Sequence, residues 1–132
     1  HARNRDETLA RMKAAEAKME AAEAVADYRA AAEADAAFHD ALFAGAGNSI
    51  LVEAYALISG RIGAMRYFTR RGSAESRRET AGEHRALIAA FARADLAGAE
   101  RLMKAHVGAV VGRYGEATSA AAPPGDRADA QP

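Results

Sequence analysis

The chain contains no cysteine, only three prolines and no long apolar run among its 132 residues. Without cysteine, neither a disulfide bond nor a thiolate metal site can form, which fits a reducing compartment. A transmembrane helix needs about 18 or more consecutive apolar residues, and the charged start lacks the apolar segment of a signal peptide. We therefore expect a cytoplasmic chain with no membrane partner.

A surplus of charge is also missing, because 18 lysines and arginines balance 18 aspartates and glutamates. With no overall basic field, the chain is not expected to bind DNA by itself. One group of arginines looks like a nucleic-acid patch. Acidic residues interrupt it and no aromatic residue lies within it, so a solvated surface is predicted. The group comprises Arg70, Arg71, Arg77 and Arg78.

Alanine is abundant throughout the chain, whereas proline is confined to the carboxyl-terminal end. Because alanine is the best helix former, this composition predicts an all-α fold, and the length allows one domain with its own core. Residues from about 6 to 34 form one broken helix or two consecutive helices. Further helices are predicted to end at about 43 and to span about 49–70, 77–93 and 96–114, with an N-cap at Asp95. Residues 118–132 have no periodicity and are predicted to be a disordered tail.

Three histidines lie on the apolar stripes of three different predicted helices: His39, His84 and His106. A single histidine on such a stripe is more often a core side chain with a hydrogen-bond partner than a metal ligand. Three imidazoles in one small core would each cost roughly 1 to 3 kcal/mol if their ring nitrogens stayed unpaired. A shared metal ion would satisfy all three.

Asp35 lies four residues before His39, and therefore on the same helix face one turn away. A buried carboxylate without a cation would neutralise or destabilise the fold, whereas a divalent ion makes it a ligand. Three histidines and one aspartate suit Zn²⁺, which we expect first, and also Ni²⁺, Mn²⁺ or Fe²⁺, because ligand type alone does not choose. The alternative is a hydrogen-bonded pair of Asp35 and His39 with two unrelated core histidines.

The order of these motifs resembles a known family, the FCD domain. This is the effector-binding domain at the carboxyl end of regulators in the FadR subfamily of the GntR family. The resemblance covers about Leu9 to Tyr114, with His84 following His39 by 45 positions and His106 following His84 by 22. The matching pieces are Asp35-Ala36-Ala37-Phe38-His39, Gly47-Asn48, Glu83-His84, Ala94-Asp95 with Ala99, and His106.

The resemblance implies an antiparallel helical bundle of about six helices over residues 1–117. Its core metal would be held by Asp35, His39, His84 and His106. It also implies a homodimer, a small organic acid as effector, and operator DNA bound only through a winged helix-turn-helix domain that precedes this one. Residues 1–5 look like the end of the family's first helix or the turn after it, so that helix is expected to be truncated.

A carboxylate bound at a metal usually needs a second cationic or hydrogen-bonding partner. Arg61 is the predicted partner, because it continues an apolar stripe and should point inward, whereas Arg66 is expected on a more polar side. The alternative for Arg61 is a solvated surface residue. Tyr55 could donate to the same ligand, although a tyrosine on such a stripe is more often core. Asn48 is expected to be a turn or cap residue rather than a ligand contact.

Two other functions compete with a sensor. A helical-bundle hydrolase with a metal-activated water would need a general base beside that water. Glu83 adjoins His84, but neighbouring helical positions are about 100° apart, so its carboxylate should face away from the metal. A third possibility is a metal that only stabilises the bundle. The sequence favours a sensor that is not an enzyme.

Overall fold

The computed structural model describes residues 2–121, and within that range there are six helices and no strand. The predicted antiparallel helical bundle is confirmed. No helix among the described residues has the length and apolarity to cross a membrane. The helices are α1 (Ala2–Ala24), α2 (Tyr28–Gly45), α3 (Ser49–Ser59), α4 (Gly63–Arg70), α5 (Ala74–Ala92) and α6 (Leu96–Ala121).

The turns from α1 to α2 and from α5 to α6 have the same backbone geometry. Ala26 and Ala94 each take a left-handed conformation, with φ of 57° and 55°. In that conformation their backbone N–H groups, and those of the residues that follow, bond back to the last carbonyls of the helix. The next residue then starts the new helix. Asp27 Oδ1 accepts from the Ala30 N–H at 3.0 Å, and Asp95 Oδ1 accepts from the Gly98 N–H at 2.8 Å. The predicted cap at Asp95 is confirmed.

The core lies between α1, α2 and α5, where one large apolar side chain from each helix meets the others. Met12, Phe38 and Leu87 are at most 1% exposed and pack with small alanines. Leu102 and Met103 of α6 cover one side of this cluster. The helices α2, α5 and α6 each carry one histidine on the face that packs against this core. The three histidines therefore lie close together at its edge.

Arg70 is buried, although the sequence predicted that the arginine group around it is solvated surface. Its guanidinium donates to Glu23 Oε1 at 3.0 Å and to Thr80 Oγ1 at 2.9 Å, and so connects α1, α4 and α5. Arg77 is half-buried and donates to the carbonyl of Arg70 at 3.1 Å. The prediction was wrong for these two residues because they lie at a helix junction, and it holds for Arg71 and Arg78, which are exposed.

Several predicted boundaries differ from the observed ones. The single helix predicted over 49–70 is interrupted by a turn at 60–62, and the helix predicted from 77 begins at Ala74, after the N-cap Ser73. Residues 118–121 belong to α6 rather than to a disordered tail, and 122–132 lie outside the described residues. Residues 2–5 belong to α1, which is continuous to Ala24.

The α3 helix is mostly exposed. Only Tyr55 of this helix is buried, and Ile50 and Leu57 are 78% and 81% exposed. Asn48 caps α3 by accepting from the Leu51 N–H at 3.1 Å, in agreement with its predicted role. The α3 helix packs mainly on α2, so its outer face has no neighbour among the described residues.

Candidate metal centre

His39, His84 and His106 meet in the interior of the bundle, one from each of α2, α5 and α6. All three are buried, and each places one ring nitrogen within 4.8 Å of the others. The Nε2 atoms of His39 and His106 are 3.4 Å apart. Phe38 stacks on His84 with ring centroids 4.0 Å apart, which fixes the plane of that imidazole. The predicted convergence of the three histidines is thus confirmed.

Asp35 lies beside the same nitrogens. Its Oδ1 atom is 3.5 Å from His39 Nε2 and 3.4 Å from His84 Nε2, while Oδ2 is 3.3 Å from the Nε of Arg66. Burial by itself would raise the pKa of Asp35, but its contact with the His39 ring, the neighbouring His84 ring and the positive charge of Arg70 hold that pKa well below its usual range. The carboxylate is therefore ionised and aimed at the histidines.

The three histidines can hold a divalent ion, and Asp35 lies beside two of them. Tetrahedral ligands about 2.0–2.1 Å from zinc lie about 3.3–3.4 Å from one another. The 3.4 Å between the Nε2 atoms of His39 and His106, and the 3.5 and 3.4 Å from Asp35 Oδ1 to His39 and His84, are close to that spacing, and the three histidines each have a nitrogen within 4.8 Å of the others. Asp35 Oδ1 and His84 Nε2 are also buried without a hydrogen-bond partner among the described residues. Because unpaired buried polar atoms are costly, a cation in contact with both would stabilise them.

The outer nitrogen of His84 is held by a carboxylate from α1. Glu16 Oε2 is 2.8 Å from His84 Nδ1, and both side chains are buried. Burial raises the pKa of Glu16 to about 7 and lowers that of His84 to about 3. When the proton of this hydrogen bond is on Nδ1, the other ring nitrogen of His84, Nε2, carries a lone pair. That lone pair faces the centre of the cluster. Outer carboxylates that orient metal-binding histidines in this way are common in metalloproteins.

His106 has an equivalent partner in Glu83. Its Nδ1 is 2.6 Å from Glu83 Oε2, and Arg113 donates to both oxygens of that carboxylate, at 3.0 and 2.7 Å. Burial lowers the pKa of His106 to about 4. Burial alone would raise the pKa of Glu83, but hydrogen bonds from Arg113 and His106 keep it below its usual value. As expected, Glu83 faces away from the centre of the cluster.

A cavity of about 220 Å³ opens beside the four residues, on the side of Asp35, His39 and His106. Arg66 and Tyr55 also line it, and the Arg66 Nη2 atom donates to the Tyr55 hydroxyl at 2.8 Å. Burial raises the pKa of Tyr55, so it stays a neutral phenol. Tyr55 points inward, as predicted, and its side chain lines this cavity.

The predicted orientation of Arg61 was wrong. It is exposed and lies in the turn between α3 and α4, whereas Arg66, predicted to be solvated, is 5% exposed. The turn at 60–62 is the reason, because it breaks the helical register on which the alignment of Arg61 with α3 depended. The cavity therefore has an inward arginine, contributed by α4 rather than by the turn.

Sequence reasoning did not identify Glu16, and it gave Glu83 and Arg113 no role. A signal existed for Glu16, because it falls between Met12 and Met19 at helical spacing and so interrupts an apolar stripe. No comparable signal marks Arg113, since its contact with Glu83 joins residues 30 positions apart.

The Glu83 contact leads to a prediction. Glu83→Gln keeps the size of the side chain but removes the negative charge that orients His106, so metal affinity should fall about 10- to 100-fold. Competition titration with a chromogenic zinc chelator measures the change. Glu100→Gln is the matched control, because Glu100 is exposed and pairs with Lys104 on the surface of α6. Equal affinity in the two variants would show that Glu83 does not support the site.

The FCD domain family matches the chain over residues 1–109, so the chain belongs to this family. An FCD domain is a regulatory ligand-binding domain of transcription regulators, and that is the class of this chain. No curated protein and no solved structure gives a match.

Proposed function

We propose that this chain is the effector-sensing domain of a metal-dependent regulator of the GntR family, FadR subfamily, and that it binds a small carboxylate at a divalent ion. The single observation that carries the proposal is the cluster of His39, His84 and His106 with Asp35, with a cavity beside it. Residues that hold an ion while leaving one side open are typical of ligand-accepting sites. We infer Zn²⁺ first, with Ni²⁺, Mn²⁺ or Fe²⁺ as alternatives.

The charges at the cavity favour an anion. Asp35 and Arg66 form an ion pair with Nε to Oδ2 at 3.3 Å, so their charges offset each other. Burial keeps His84 and His106 neutral at physiological pH. A divalent ion among these groups would leave the site with a net positive charge. A carboxylate is a small anion that both a metal and a guanidinium recognise.

The Arg66 fork has capacity for such a ligand. Its Nε and Nη2 atoms contact Asp35 and Tyr55, and Nη1 makes no hydrogen bond to any of residues 2–121. Because Nε contacts Asp35 and Nη2 donates to Tyr55, the position of the Arg66 guanidinium is fixed before the ligand binds. Pre-ordered donors of this kind reduce the entropy lost on binding.

The larger assembly is part of the same proposal. We infer that the chain acts as a homodimer and that it reaches operator DNA through a winged helix-turn-helix domain at its amino end. The balanced charge of the chain supports this division, because a net charge of zero gives no overall basic field that would draw the chain to DNA. Reading the gene upstream of His1 tests it: a winged helix-turn-helix sequence is expected, and its absence would overturn the regulator assignment.

Direct measurement of effector binding is the main test. Zinc-loaded protein is screened by thermal shift against acetate, lactate, pentanoate, glutarate and gluconate. We expect at least one acid to raise the melting temperature, and to lose this effect once the zinc is removed by chelation. A purely structural metal predicts no stabilisation by any acid. A hydrolase predicts turnover of ester or amide substrates, but Asp35 is the only carboxylate lining the cavity among the described residues, so no separate general base is present there.

Arg66 can be tested separately from the metal. Arg66→Lys keeps one positive charge but loses the fork, so carboxylate affinity should fall about 10- to 100-fold while bound zinc remains stoichiometric. Calorimetric titration with the best acid from the screen gives the affinity, and elemental analysis gives the zinc. Arg61→Lys is the matched control and should bind like the parent protein, because Arg61 is exposed. If Arg61→Lys lost affinity instead, the cavity would not be the effector site.

A further inference from the structure

The cavity beside the histidine cluster is polar at one end only. Its polar lining comes from five buried residues that lie around the histidine cluster: Asp35, His39, His106, Arg66 and Tyr55. The remainder is apolar and is contributed by α2, α3, α4, α6 and the turn between α3 and α4. These apolar residues are Phe43, Ile58, Ile62, Met65, Met103, Val107, Val110 and Val111.

The apolar groups at the mouth are unusually exposed for their size. Ile58 of α3 and Val107 of α6 are each 53% exposed, and Val111 is 58% exposed. Single exposed apolar residues are ordinary, but a group of them around one cavity marks a surface that a ligand covers. Contact with hydrocarbon would remove this surface from water, whereas contact with hydroxyl groups would not be favourable.

We propose that the effector is a compact monocarboxylate with a hydrocarbon body, rather than a sugar acid or a dicarboxylate. This inference rests on the proposed carboxylate-sensing function and names the class of acid. Its carboxylate lies at the inner end beside Arg66, and its hydrocarbon body lies along Met65, Val107 and Val110. A hydroxyl on the carbon next to the carboxylate is compatible with the site, because that carbon stays within the polar end.

The volume sets the size of the ligand. At about 30 Å³ for each water in the liquid, 220 Å³ accommodates roughly seven water-sized groups. A carboxylate occupies about three of these, which leaves room for approximately four further carbons. Polar groups beyond that first carbon would lose water and find no partner in the lining. Each such group is expected to lower affinity about 10-fold or more.

Three acids of almost equal shape test the proposal on zinc-loaded protein by calorimetric titration. Pentanoate ends in a methyl group, 4-hydroxybutanoate replaces that methyl with a hydroxyl, and glutarate replaces it with a carboxylate. We expect pentanoate to bind at least about 10-fold more tightly than either of the others. Equal or tighter binding of 4-hydroxybutanoate or glutarate, with zinc still required, would overturn this inference and leave the proposed function intact. No binding by any organic acid in the screen would overturn both.

A substitution in the lining provides a second readout. Val110→Thr keeps the shape of the side chain and adds a hydroxyl, so pentanoate affinity should fall about three- to tenfold while 4-hydroxybutanoate is unaffected or gains. Val25→Thr is the matched control, because Val25 is 75% exposed and lies outside the cavity. Thermal melts show that both variants fold. If Val110→Thr changes the sedimentation coefficient but not pentanoate affinity, the apolar mouth is a protein contact and the proposal is wrong.

Discussion

Replacing His84 with alanine should remove the metal from the domain. His84 is completely buried, its Nε2 atom faces Asp35 Oδ1 at 3.4 Å, and the described residues hold no further imidazole beyond the three of the cluster. Structural zinc sites bind with about 10–16 kcal/mol, so one of four ligands represents roughly 3–4 kcal/mol, or about 10²–10³ in affinity. After dialysis against a weak chelator, elemental analysis should find zinc in the parent protein and almost none in the variant.

Two further variants make this result specific. His106→Ala should behave like His84→Ala, because both rings belong to the same cluster. His1→Ala is the control for a general effect of removing a histidine, and should retain its zinc. Since His84→Ala also leaves a cavity next to Phe38, circular dichroism is needed to show that the helices persist. Undiminished zinc in both core variants would disprove the proposed centre.

The metal-free protein should lose stability when it is acidified. In the unfolded chain an imidazole ionises near pH 6.5, whereas burial holds the pKa of His84 at about 3 and that of His106 at about 4 in the fold. Between these values the unfolded state binds more protons, so the free energy of unfolding falls as the pH falls. Glu16 acts in the opposite direction. Its pKa is raised to about 7, so its contribution is greatest at low pH and is lost as the pH rises through 7.

Two histidines outweigh one glutamate, and the net loss between pH 7 and pH 4.5 should be on the order of 2–4 kcal/mol. Urea denaturation of chelator-treated protein at several pH values measures it. A His106→Asn variant lacks one of the two titrating groups, so its stability should depend less steeply on pH. Constant or increasing stability on acidification would show that the cluster is not held neutral by burial.

Local sequence patterns predicted the helices well because helix formation depends on neighbours a few positions apart. Alanine content indicated an all-α fold, and Asp95 and Asn48 were identified as a cap and as a turn or cap residue because capping involves only nearby N–H groups. The three inward histidines followed from the same reasoning, since a residue on an apolar stripe must face the core. Their meeting at one point could not be derived from helical periodicity, because it depends on how α2, α5 and α6 pack.

The errors also have physical causes. Arg61 was expected to point inward and Arg66 outward, and the structure shows the reverse. A turn at 60–62 separates α3 from α4, so the helical periodicity of α3 does not predict which side chains of α4 face inward. Arg70 was expected in solvent, but it is buried because Glu23 and Thr80, distant in sequence, supply its partners. Long-range pairing of charges leaves no local pattern.

The sequence by itself determined the all-helical class, most helix positions, and the four inward residues Asp35, His39, His84 and His106. Only the tertiary structure decided which atoms of those residues face one another, which carboxylates hold their outer nitrogens, and which arginine enters the cavity. The physical reason is the range of the interactions. Helix formation and amphipathic patterning act over a few residues, whereas the contacts of Glu16 with His84 and of Arg113 with Glu83 depend on helices that meet only after the chain has folded.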